Sequence, residues 1–115
     1  MKEISKEFEY KGKTYGLVFN LNVMAVIQDK YGTLEKWGKL TDGKDGEPNA
    51  QAIIFGLWAM INEYLDIQNE ENGASEKPLT LKQTGRMITD IGLSEATKKI
   101  NETVVESTQS AEKNA

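Results

Sequence analysis

Cysteine and histidine are both absent from the 115 residues. Without cysteine there are no disulfides and no thiolate chemistry, and nothing points to secretion. Without histidine the chain lacks the commonest general base and the commonest transition-metal ligand, and with them every Ser-His or Cys-His nucleophile pair. Arginine is nearly missing too: Arg86 stands alone among fourteen basic residues, so bidentate readout of phosphate or base edges has little to work with. The longest Lys/Arg run is Lys98-Lys99 and the net charge is −4, which excludes a polyanion as the expected partner. The longest apolar stretch, Ala52 to Ile61, is far too short to span a bilayer, and no apolar segment follows Lys2 to make a signal peptide. A cytoplasmic protein with no nucleic-acid and no membrane partner is therefore expected.

What is present fits one globular domain: 38% hydrophobic and 28% charged residues, a balance on the polar side but enough for a single core. From Lys6 to Tyr10 polar and apolar residues alternate. Lys11-Gly12-Lys13 then supplies a turn, and Tyr15, Leu17 and Phe19 alternate again. This predicts a β-hairpin over 6–19, with Phe8 and Tyr10 on one face of its first strand. A lone hairpin is marginal in water, so its apolar face must lie on helices or on another subunit.

Beyond Asn20 the period changes to that of a helix. Asn20 or Asn22 can cap a segment carrying Val23, Met24, Ile27 and Tyr31 on one face, with Gly32 closing it. Thr33 can cap a short helix, 34–40, that carries Trp37. Thr41 to Pro48, with two glycines and two aspartates, reads as a loop. Asn49 then caps the most strongly patterned helix, running to about Gln68. Its apolar residues, from Ile53 through Leu57, Met60, Ile61 and Tyr64 to Ile67, cover nearly half the circumference, which marks a central helix packed on two sides. The acidic stretch 68–77 reads as a second, mobile loop. Thr80 opens a helix that Gly92 closes, and Ser94 opens a last one with Leu93, Ala96, Ile100 and Val104 on one face. After residue 106 no large apolar residue remains. The expected organisation is one mostly α domain, 1–106, with a short N-terminal hairpin and four to five helices, and a disordered polar tail, 107–115.

Sites that could carry chemistry are few. Asp42-Gly-Lys-Asp45-Gly-Glu47 resembles the start of a calcium loop. Counted from Asp42, however, position 3 is Lys44, position 6 is Glu47 and position 12 is Ile53, where oxygen ligands, glycine and a bidentate acid are needed. Glu63 and Asp66 lie at i, i+3 on the polar side of the central helix, with no third ligand converging on them. No phosphate-binding glycine pattern occurs. No catalytic residue, metal site or cofactor site is expected, and the chain is not expected to be an enzyme. What remains is apolar surface. Phe55 falls about 200° from Ile53, outside the main stripe and near Asn62 and Asp66. It is either covered by a flanking helix or exposed as a contact. Trp37, beside the loop, poses the same question, with packing over the core the favoured answer. Phe55 and Trp37 are the candidate partner-binding residues.

The order of these parts resembles a known family. A hairpin ends in the aromatic strand Tyr15-Gly-Leu-Val-Phe19. It leads into an amphipathic helix closed by Lys30-Tyr31-Gly32, a long apolar helix from Ile53 to Leu65, and an acidic loop running into Lys77-Pro78-Leu79-Thr80. Over residues 8–105 this pattern resembles the tail assembly chaperones of siphophages and prophages of Gram-positive bacteria. The resemblance implies a viral protein that acts in the cytoplasm of the infected cell and is absent from the mature virion. It binds the tape-measure protein, keeps it soluble and helps recruit the tail-tube protein, with possible self-association along the tape measure. In that family a −1 ribosomal frameshift near the stop codon often yields a longer product. Glu112-Lys113-Asn114 permits the slippery heptamer A-AAA-AAC, and GAG or AAG codons there would exclude it. Two other readings compete: a structural tail or head–tail connector subunit, and an acidic adaptor or inhibitor of a host protein. The last ranks lowest, because Lys and Glu are interspersed without an acidic stripe.

Overall fold

A computed structural model of the chain describes residues 5–43 and 46–113. Two antiparallel strands are followed by five helices: β1 (Ser5–Tyr10), β2 (Lys13–Val18), α1 (Leu21–Tyr31), α2 (Leu34–Asp42), α3 (Ala50–Asn72), α4 (Leu81–Ile91) and α5 (Leu93–Lys113). The expected hairpin and helical body are both found.

The hairpin turns through Lys11 and Gly12, both at positive φ (51° and 76°), the pair of left-handed residues that a two-residue primed turn requires. The resulting register sets Phe8 opposite Tyr15 and Lys6 opposite Leu17. The faces read separately on the two strands are therefore one face. The Phe8 and Tyr15 rings stack on it at 5.9 Å. Phe8, Leu17 and Phe19 join the core with α1, α3, α4 and α5, which supplies the support a lone hairpin lacks.

Each of the first four helices begins where a side-chain oxygen can take up a free backbone N–H. Asn20 accepts from Val23 N, Thr33 from Lys36 N, Asn49 from Ala52 N and Thr80 from Gln83 N. At Thr80 the Gln83 side chain also accepts from Thr80 N, completing a capping box. Thr80→Ala is expected to cost about 1 kcal/mol by chemical denaturation, the ordinary worth of such a cap.

α3 is the axis of the body and packs on β2, α1, α2, α4 and α5. It buries Ile53, Leu57, Met60 and Ile61 completely or nearly so. It also runs a turn beyond the expected end near Gln68. Asn72 bonds the Gln68 side chain at 2.6 Å, and Gly73 closes the helix in the left-handed region.

α5 continues to Lys113, past the expected domain end at residue 106 and into the expected tail, 107–115, of which Asn114 and Ala115 lie outside the described residues. The buried stripe of α5 is Ala96, Ile100, Thr103 and Ser107. Its last two members are small and polar, so hydropathy alone ends the face too early. Thr103 returns its hydroxyl to Lys99 O at 2.7 Å, and Thr108 does the same to Val104 O. Lys6 on β1 pairs with Glu106 at 2.9 Å and Glu102 at 3.7 Å, tying the first strand to this last helix.

Candidate functional site

The two aromatic candidates have different fates. Trp37 is 2% exposed, and its indole N–H donates to Ala52 O at 2.9 Å. It is a core residue joining α2 to α3, the answer the sequence favoured for it. Phe55 remains partly exposed and lies in an aromatic row along the outer face of α3. The Tyr31 ring meets it edge-on at 5.7 Å, and the Trp58 ring lies tilted against it at 5.3 Å. Lys30 holds its ammonium over the Phe55 ring at 5.6 Å. Partial burial pushes the Tyr31 phenol above its ordinary range.

This row floors a shallow trough made of three linked depressions. The first, about 350 Å³, lies where α3 meets the end of α1 and the start of α4, between Lys30, Tyr31, Phe55, Leu81, Lys82 and Gly85. The second, about 430 Å³, shares Lys30 and Phe55 with it and continues between Val26, Asp29 and Trp58. The third, about 150 Å³, shares Val26 and Trp58 with the second and ends at Asn62, Glu63 and Asp66. Two exposed aliphatic side chains border the trough: Val26 (41%) on the α1 side and Leu81 (46%) on the α4 side.

Phe55 lies near Asn62 and Asp66, as its angle on α3 predicts, and Trp58 of α3 and Tyr31 of α1 sit half-buried beside it, packed against the core. At about 100° per residue Trp58, Asn62 and Asp66 all fall within roughly 60° of Phe55. The α1 and α4 walls had no comparable signal, because they depend on helix packing.

The wall beyond Trp58 is held by side-chain amides. Asn62 donates to Leu79 O (3.1 Å) and accepts from Leu79 N (2.9 Å). Two turns further along α3, Asn69 makes the same pair of bonds with Glu76, at 3.1 and 2.8 Å. The Trp58 indole N–H adds a third bond at Leu79, to its carbonyl oxygen (2.8 Å). Lys13 of the hairpin pairs with the Glu76 side chain, and the hydrogen bond its ammonium donates to that carboxylate raises the lysine above its ordinary range. The stretch expected to be a mobile loop is thus stitched to α3 and to the hairpin.

Glu63 and Asp66 do not form a carboxylate pair. Glu63 Oε2 accepts from Asn20 Nδ2 at 2.6 Å and Asn22 Nδ2 at 3.0 Å, pinning the start of α1 to α3, while Asp66 faces solvent at the trough's end. Among the described residues no three acidic side chains gather as metal ligands, and no helix is long and apolar enough to cross a membrane. Of the calcium-like loop, Lys44 and Asp45 lie outside the described residues.

Comparison with protein-family models, with characterised proteins and with solved structures finds no match to this chain.

Proposed function

We propose that this protein is an assembly chaperone that shields an amphipathic helix in the trough along α3, and that the helix belongs to a phage tape-measure protein. The observation that carries the binding half of this reading is the row Tyr31–Phe55–Trp58, partly open between the exposed Val26 and Leu81. Aromatic side chains in a groove anchor helices that present apolar residues at i, i+3, i+4 and i+7. The trough spans Gln51 to Asp66 on α3, which at 1.5 Å per residue is roughly 22 Å, or about four turns of a bound helix. The tape-measure half rests on the segment order over residues 8–105. A long helical chain awaiting its tube needs its apolar stripe covered, and a carrier with a net charge of −4 keeps the covered particles apart.

The test is co-expression with the product of the long, helix-coding reading frame expected downstream of the gene. The partner should be soluble with this chain and aggregate without it. Phe55→Asp places a charge on the trough floor and should abolish the rescue while leaving the circular dichroism spectrum unchanged. Rescue that survives Phe55→Asp would remove the trough from the reading. Mass spectrometry of purified particles separates the chaperone from a tail or connector subunit, since a chaperone is absent from them.

A further inference from the structure

The trough is electrically polarised. At the end where α4 begins it is lined by Lys30 and Lys82, with no acidic side chain among its lining residues. The positive end of the α4 dipole opens at the same corner. At the other end the charged lining residues are Glu63 and Asp66. Glu63 is already engaged by two asparagine amides, so Asp66 is the exposed charge there. Asp29, which lines the middle beside Lys30, offsets part of that lysine's charge and leaves Lys82 as the uncompensated cation of the α4 end. A uniformly acidic or basic helix laid along this floor meets like charge at one end. A helix with acidic residues at one end and basic residues at the other meets opposite charge at both.

From this juxtaposition we infer that the trough's occupant is a bipolar amphipathic helix of about four turns, docked with its acidic end at Lys30 and Lys82 and its basic end at Asp66. The inference rests on the helix-in-trough reading and adds to it the charge pattern and the seating of the partner. The apolar stripe supplies affinity through Phe55 and Trp58. The end charges select among apolar helices and fix which way they lie, the usual division of labour between the two kinds of contact.

Three synthetic 15-residue peptides test it. All carry the same Leu/Ile stripe. One has three Glu in its first turn and three Lys in its last, one has Glu at both ends, and one has Lys at both ends. At low salt the bipolar peptide should bind the full chain about tenfold more tightly than either uniform peptide, and the difference should shrink in 0.5 M salt. Lys82→Glu, a change at an exposed position, should weaken the bipolar peptide and strengthen the all-Lys one. A nitroxide on the acidic end should broaden the amide signals of Leu81 and Gly85 and spare those of Asn62 and Asp66. Equal affinities for the three peptides, or broadening at Asn62 and Asp66, would overturn the polarity and leave the trough standing. If no peptide binds, or if binding is untouched by Phe55→Asp, the trough reading itself falls.

Discussion

Gly56→Ala is expected to destabilise the protein, although alanine favours a helix interior over glycine by up to about 1 kcal/mol. A Cβ at this position of α3 would lie 2.4 Å from Cζ2 in the six-membered ring of Trp37, with Cε2 at the ring fusion 3.0 Å away and Nε1 3.1 Å away. The indole cannot retreat, because its N–H is bonded to Ala52 O at 2.9 Å and the ring is sealed in the core. Overpacking of this kind costs about 1–3 kcal/mol, so the sign reverses and Gly56→Val should be worse still. Trp37→Ala empties the same contact and leaves the Ala52 carbonyl without its indole donor, a loss of about 3–5 kcal/mol. In the Trp37→Ala background, however, Gly56→Ala should become neutral or stabilising, since the space is then free. Gly38 is the control. It sits in α2 with nothing within 4 Å of an added Cβ, and Gly38→Ala should gain a few tenths to 1 kcal/mol. Urea denaturation of these variants reads the whole set. A Gly56→Ala protein more stable than its parent would disprove the close approach.

The second large effect is expected from Asn62. Its amide satisfies both backbone groups of Leu79 and so acts on the 76–79 segment as a neighbouring strand would. Asn62→Ala removes both bonds and leaves the Leu79 N–H without its acceptor, at a cost of about 2–3 kcal/mol. Asn62→Asp should cost a similar amount, because a carboxylate can accept from Leu79 N but cannot donate to Leu79 O. In Asn62→Ala/Asn69→Ala, hydrogen exchange at Glu76 to Leu79 should approach that of an exposed loop, with the α3 amides still protected. Unchanged exchange there would mean that the segment is held by something other than the two asparagines. Asn72→Ala, which loses only an exposed bond to Gln68, should be nearly silent.

These cases also show what could be read from the chain before folding and what could not. The caps were legible, because Asn20, Thr33, Asn49 and Thr80 each act on a backbone group three residues away. The helical periods of α1 and α3 were legible for the same reason. The roles of Asn62 and Asn69 were not, because an amide on the polar side of a helix looks solvated until another part of the chain is known to return beside it. The stretch 68–77 has the composition of a mobile loop, yet it is helical to Asn72, and beyond that the chain to Leu79 is held by those two amides together with the Trp58 indole and Lys13. The α5 boundary was misread because Thr103 and Ser107 are polar by composition and buried by position. Half of the candidate site, Phe55, stood out by its angle on α3. The other candidate, Trp37, was favoured for the core but not fixed there by sequence, since a short helix with Leu34, Trp37 and Leu40 at every third position does not say which of them faces in.

The pairing of Lys6 with Glu102 and Glu106 has a consequence for how the chain matures. The partners are about a hundred positions apart, and the closing helix also contributes Ala96 and Ile100 to the shared core. At roughly 5–20 residues per second, the 21 residues of α5 follow the hairpin and α1 to α4 out of the ribosome by about 1–4 seconds. For that interval the nascent protein exposes the side of its core that α5 later seals. Native structure therefore waits on α5, and a nascent chain that has not yet released residues 93–113 from the ribosome is an open, adhesive intermediate.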